Sequence, residues 1–280
     1  MKTKVKDVGS FLREVKRIED QWNKDIRKDN EKPEEDKRTV KFFFRGHRDA
    51  AWELMPSLFR DFSEVQKFST QGVDVYSYYS YYSEEQYLIQ EAQRLFPTCF
   101  EKCKTDVDRM SVAQHYELPT RLLDVSGNAL VALYFAVQKV DGDVDGKVFM
   151  FRASAEDYKI ASTGGQSVKI LIQDFHDKNK QLVIEKPTLL FPTFRTERQR
   201  AQDGAFYLFP NRVKPVEVIG IKEELYREIL IPGTIKGIVK KELEEICNIH
   251  QGVLFPESLS YTSLKLKKEA EERIRSNMCL

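Results

Sequence analysis

Cysteine, net charge and long apolar runs are all scarce in this 280-residue chain. The four cysteines (Cys99, Cys103, Cys247 and Cys279) include no Cys-x-x-Cys pair. Cys99 and Cys103 stand four apart on an expected helix with no other ligand pair nearby, so they read as core residues and not as half of a metal site. Basic and acidic residues nearly cancel, 45 against 44, which excludes a global field that would draw in nucleic acid. Any such contact must come from a local patch. No apolar stretch approaches the ~18 residues that a membrane helix needs, and no basic-then-apolar leader opens the chain. A cytoplasmic protein with reduced thiols and no membrane contact is expected. The four histidines lack metal-ligand spacing, so metal-dependent hydrolysis through His115, Asp124 and a second acid ranks last, and no metal is expected.

A chain of this length buries roughly 70 to 75% of its unfolded surface and can support a real core. Phe11, Leu12, Val15, Ile18, Trp22 and Ile26 recur at helical spacing behind Ser10, a candidate N-cap. Residues 10 to about 29 therefore read as an amphipathic surface helix with one docked stripe, followed by a charged connection over 28–38. Thr39 to Phe44 reads as a buried strand delivering Arg45-Gly46. The tyrosine-serine stretch 62–82 reads as a loop or insertion. Ser83-Glu84-Glu85-Gln86 has a capping-box pattern that opens a helix to about residue 104. Further helices are expected over 109–117, ending before Pro119, and over 129–139 behind Asn128, the latter apolar on nearly every face. From Gly146 the pattern turns to strands, at 147–151, 204–209, 216–221 and 228–231. A helical stripe follows from Ile235 to Ile246, and a charged helix runs from about 258 to the end. There is no internal repeat and no convincing linker. The reading is one α+β domain over 39–280, with a mixed or antiparallel sheet core and a helix-rich insert, and residues 1–38 as a helical N-terminal appendage.

Polar groups embedded among apolar residues mark the candidate sites, because such groups cost several kcal/mol unless they find partners or line a pocket. In Phe43-Phe44-Arg45-Gly46-His47, the Arg45 guanidinium suits two oxygens of a phosphate or carboxylate, or a structural ion pair with an internal acid such as Asp124. Gly46 permits close approach of a ligand backbone, or merely a tight turn. The run Gln114-His115-Tyr116-Glu117-Leu118-Pro119-Thr120-Arg121-Leu122-Leu123-Asp124 offers His115 as a general acid or base, or as a hydrogen-bonded core residue. Arg121 and Asp124, three apart, would pair with each other if the segment were helical. A third block, Arg195 to Phe206, sets Arg198, Arg200 and Gln202 before a strand, as a phosphate-facing edge or a solvated turn. In Leu254-Phe255-Pro256-Glu257 the carboxylate of Glu257 is a candidate catalytic acid or a helix cap.

The first two blocks, with Trp52, Pro56, Ser57 and Arg60 behind the one and Asn128 to Ala136 behind the other, resemble the FRG domain family. The resemblance runs from residue 40 to about 260 and takes in the arginine-rich block with its Gln202-x-Gly204-x-Phe206. The order of first-strand arginine-glycine, helix-rich insert, later strands and late acid is also similar to that of bacterial ADP-ribosyltransferase toxins. That similarity implies an ADP-ribosyltransferase-like fold with NAD as co-substrate, Arg45 on the NAD ribose-phosphate and Glu257 as the catalytic acid. It further implies an NAD site drawn from Arg45, Gly46, His115, Tyr116, Thr120, Arg121 and Tyr134, in which Tyr116, Tyr134 or Phe135 would wall the nicotinamide. Arg198, Arg200 and Gln202 would then meet the acceptor, a nucleic acid or a protein, with Tyr76 to Tyr82 available to stack on bases. The setting implied is a toxin-antitoxin or anti-phage system with an antitoxin or regulatory partner. The chain has no Ser-Thr-Ser strand motif and no Glu-x-Glu or Gln-x-Glu turn. The alternative is a non-catalytic nucleotide- or RNA-binding module.

Overall fold

The computed structural model describes residues 5–29, 41–61, 76–138, 144–153, 158–160, 187–209 and 226–256. Among them a seven-stranded sheet carries helices in an α+β arrangement, in the order β4-β5-β6-β2-β1-β3-β7. The strands are β1 (Lys41–His47), β2 (Leu122–Ser126), β3 (Gly146–Ala153), β4 (Tyr158–Ile160), β5 (Thr188–Phe191), β6 (Gly204–Leu208) and β7 (Tyr226–Ile231). Every pairing is antiparallel except β4 with β5.

Helix α1 (Val8–Asp29) starts two residues before the expected position. The Asp7 carboxylate accepts from Ser10 N–H at 2.6 Å, while the Ser10 hydroxyl accepts from the N–H groups of Lys6 and Asp7. Asp7 thus caps the helix and Ser10 answers from its first turn, which corrects the assignment of Ser10 as N-cap. Phe11, Ile18 and Trp22 form the buried stripe. They share a core with Phe44, Met150, Ile231, the helix α6 (Ala129–Ala136), and Val239 and Leu243 from a later helix.

The tyrosine-serine stretch is helical where it is described: α3 spans Tyr76–Leu95, so Ser83 lies inside a helix and opens none. Tertiary docking through Glu85 and Ile89, both buried, overrides the weak local propensity of that composition. The expected single helix to residue 104 breaks at Phe96, because Pro97 disfavours α geometry in the residue before it, and a short α4 (Pro97–Phe100) follows. Helix α5 (Asp106–His115) begins earlier than expected, behind a Thr105–Asp108 capping box. It ends in a turn where Glu117 takes a φ of 65°. Asn128 caps α6 as its sequence suggested, its side chain accepting from Leu130 N–H.

In the second half β3, β6 and β7 lie where expected. β4 and β5 were not foreseen: β5 is a four-residue apolar run between Pro187 and Pro192, too short to show alternation. The short helix α7 (Glu197–Ala201) precedes β6 behind a Thr196–Gln199 capping box. Helix α8 (Lys236–Glu245) carries the expected stripe, and α9 (Gln251–Leu254) follows it. The strand expected at 216–221 and the helix expected from 258 lie outside the described residues.

The register fixes the faces of the sheet. Phe44 sits opposite Met150 and Ser126, and Asp124 opposite Phe206. This face is covered in two parts, by α1, α6 and α8 over the β1-β3-β7 side and by α3 to α5 over the β2-β6-β5 side. On the opposite face, Phe43, Leu123, Phe149 and Phe151 pack on Leu54, Leu58 and Phe59, the last two from α2 (Ser57–Asp61).

Candidate functional site

β1 and β2, neighbours at the centre of the sheet, share a single registered pair, Phe44 with Ser126. β1 meanwhile pairs with β3 along its whole length. Beyond Phe44 the two strands part, and the gap coincides with the seam between the two helical layers. A cavity of about 210 Å³ lies there. Its walls come from β1, β2, β6, α5, α6 and the residues around α7.

Arg45 closes the gap. Its Nη1 donates to the backbone carbonyl of Asp124 at 2.7 Å and lies 3.7 Å from Asp124 Oδ2. Its Nε donates to His47 Nε2 at 3.0 Å. Since arginine only donates, His47 must accept through Nε2, which leaves the proton on Nδ1, 3.3 Å from the Trp52 carbonyl. His47 is buried against Phe149 and Trp52, and burial together with the neighbouring Arg45 charge lowers its pKa from 6.5 to about 3. It is a neutral anchor that aims the guanidinium. Burial also works against the charge of Arg45, Asp124 restores it, and nearby Arg60 opposes it. Two of the five guanidinium N–H groups are engaged, so three are without a hydrogen-bond partner among the described residues.

The Asp124 side chain is 60% exposed and is the one carboxylate lining the cavity among the described residues. Gln114 orients it. The Gln114 amide nitrogen donates to Asp124 Oδ2 at 2.5 Å, and its oxygen accepts from the Thr120 hydroxyl at 2.6 Å. Thr120 is buried and its N–H donates to Ser57 Oγ, so it braces the site from behind. Arg121 is buried as well, with Glu85 accepting from its backbone N–H at 2.8 Å and from its Nε at 2.7 Å. The condition under which Arg121 would pair with Asp124, a helical segment, is not met. Residues 122–126 form a strand, so the side chains at 121 and 124 fall on opposite faces.

Of the other expected residues, His115 lines the cavity, half-buried, with its ring edge-on to Tyr116. Arg198 and Gln202 line it too; Arg198 lies 4.5 Å above the Phe255 ring and the Gln202 amide donates to the Leu254 carbonyl. Arg200 is exposed and donates to the Arg195 carbonyl, away from the cavity wall. Tyr116 is exposed and Tyr134 belongs to the core, so the aromatic wall is made by Phe44, Phe135 and Phe206. Gly46 serves the fold directly: a Cβ there would stand 1.8 Å from the Ala132 carbonyl oxygen, so the close approach it permits is that of α6. Glu257 and the side chains of Tyr76 to Tyr82 lie outside the described residues. Sequence reasoning missed Gln114 as a positioning group, although it stands beside His115, and missed Glu85 and His47 as the partners of the two arginines. It also passed over Gln199, which is buried and donates to Ser111 on α5.

Residues 40–144 match the model of the FRG domain. Over that stretch the chain is similar to the FRG domain. The matched stretch runs from β1 through α6 and supplies Arg45, Gln114, His115 and Asp124, whereas Arg198, Gln202 and Phe206 complete the cavity from beyond it. No curated protein and no solved structure matches the chain. No described helix is long and apolar enough to cross a membrane, and no group of three or more described His, Cys, Asp or Glu side chains could hold a metal ion.

Proposed function

We propose that the FRG-domain cavity is an NAD site and that the protein is an ADP-ribosyltransferase. The observation that carries this reading is the Arg45–Asp124 arrangement: a positioned guanidinium with spare donors beside a carboxylate that solvent can reach. Cleaving the nicotinamide–ribose bond builds positive charge on the ribose, which a carboxylate stabilises, while the diphosphate needs a rigid cationic fork. In this reading Arg45 and Arg198 hold phosphate oxygens and Asp124 takes the place beside the ribose for which Glu257 was considered. The carbon–nitrogen bond breaks with its electron pair leaving on nicotinamide, the acceptor nucleophile bonds to the same carbon, and His115 removes the acceptor's proton. The likeness to toxin-type transferases supplies the setting, a toxin acting on nucleic acid or protein under the control of an antitoxin or anti-phage system.

The test is release of nicotinamide when purified protein receives NAD with nucleic acid or cell lysate. Wild type is expected to release it, and Arg45→Lys to lose about 100-fold in rate, as when one preorganised donor is removed, while keeping its thermal transition. No release by wild type would refute the transferase. One observation favours a second reading, a nucleotide-binding module without turnover: about 210 Å³ falls short of the roughly 300 Å³ at which ordinary ligand pockets begin. That reading predicts saturable, salt-sensitive nucleotide binding with no nicotinamide released.

A further inference from the structure

A second cavity of about 220 Å³ adjoins the first, and the two share Arg45, Gln114 and Asp124 as a common wall. Its far side is built by Pro56, Ser57 and Arg60 from the α2 segment, and by Glu117 and Leu118 from the turn after α5. Of the expected NAD residues, Arg45 alone lines it. Two chambers of nearly equal volume therefore flank one arginine, and each is sized for a nucleoside and not for a dinucleotide.

We infer that the site is bipartite. The diphosphate of a dinucleotide rests on Arg45, the nicotinamide ribose occupies the chamber walled by Phe44, Phe135 and Phe206, and the adenosine half enters the chamber of Arg60 and Glu117. This inference rests on the NAD reading and removes the size deficit that counted against it. The chemistry of the second chamber fits that occupant. The Arg60 side chain is exposed, makes no hydrogen bond or ion pair with a described residue, and already acts on the charge of Arg45, so a phosphate between the two arginines relieves their mutual repulsion. Glu117 is exposed at the same chamber, and a carboxylate there accepts from a ribose diol as acidic residues do in other dinucleotide sites. The positive φ of Glu117 comes from the turn that ends α5, where Glu117 N–H donates to the Gln114 carbonyl at 3.0 Å, so its backbone position is set by the fold. Pro56 and Leu118 offer apolar surface for a base.

The experiment is calorimetric titration of wild type, Arg60→Ala and Glu117→Ala with three probes: NAD, ADP and nicotinamide mononucleotide. Arg60→Ala should weaken NAD and ADP by about tenfold, the loss of one charge-assisted contact, and Glu117→Ala by a smaller factor of about three. Nicotinamide mononucleotide should change by less than about twofold in both, because it fits the first chamber alone. Equal losses for all three probes, or none for NAD, would overturn the bipartite site. If NAD binds wild type and releases nicotinamide while neither variant affects it, the second chamber is unused and the transferase stands. If wild type binds none of the probes, both readings fall.

Discussion

The Glu85–Arg121 pair sets the clearest energetic expectation, because both side chains are fully buried and one carboxylate satisfies two donors of the same residue. Glu85→Ala leaves a buried guanidinium without its counter-charge, a change that costs about 3 to 5 kcal/mol. A typical domain has about 5 to 15 kcal/mol of stability, so the variant should unfold at a much lower denaturant concentration. Glu85→Gln keeps the shape and one acceptor and should cost less, about 1.5 to 3 kcal/mol, the worth of a hydrogen bond to a charged group. The decisive comparison is the double variant Glu85→Leu with Arg121→Met. Removing both charges together abolishes the desolvation penalty, so it should recover at least half of what Glu85→Ala loses. Urea unfolding followed by circular dichroism and by tryptophan fluorescence gives the midpoints. A Glu85→Ala midpoint within about 1 kcal/mol of wild type, or a double variant no better than the single, would refute the claim that this pair braces the start of β2.

Gly46→Ala sets a Cβ 1.8 Å from a backbone oxygen of α6, which nothing flexible can relieve, so it should destabilise by about 1 to 3 kcal/mol or more and displace α6 from the cavity wall. The measurement is a denaturation midpoint beside nucleotide affinity, and a variant of unchanged stability would count against that packing. His47 supplies a pH signature. Its folded pKa of about 3 lies below the ordinary 6.5, so the unfolded chain binds the proton first, and stability is complete above pH 6.5 and falls as pH drops from there towards 3. His47→Gln should flatten the stability profile across that window by up to ~1.4 kcal/mol per pH unit, and an unchanged slope would disprove the buried neutral imidazole.

β1 and β3 were legible because they combine aromatic and β-branched runs with abrupt ends, as in Phe42-Phe43-Phe44 and Val148-Phe149-Met150-Phe151, whereas β2 at the middle of the sheet was not read as a strand. α6 was legible from Asn128 and the unbroken apolar run behind it. The start of α3 was not, because a tyrosine-serine composition carries no helical signal until Glu85 and Ile89 dock it. In the candidate site the sequence identified charged residues set among apolar ones but not their partners, since partnership depends on which strands lie side by side. Arg45 and Arg121 look equivalent in the sequence, each beside an apolar run. Yet Arg121 is held by Glu85, 36 positions away, whereas Arg45 meets Asp124 across the sheet. A near neighbour in sequence misled for the same reason: Arg121 and Asp124 would pair only on a helix, and antiparallel pairing with β6 makes that segment a strand.

Whether Arg45 is structural or functional has a single answer, because the two roles use different parts of its guanidinium. Where β1 and β2 part after one registered pair, the Asp124 carbonyl loses the strand partner that an uninterrupted ladder would give it. Arg45 Nη1 meets that need, and His47 fixes the opposite corner of the fork through Nε. The fold therefore consumes one end of the guanidinium, while Arg45 lines both chambers and keeps Nη2 and the second Nη1 hydrogen without a hydrogen-bond partner among the described residues. A lysine would keep the charge but, from one nitrogen on a flexible stem, could not hold carbonyl, imidazole and ligand in a fixed plane. Loss of ligand grip in Arg45→Lys with little loss of stability is thus the outcome that separates a planar fork from a mere positive charge.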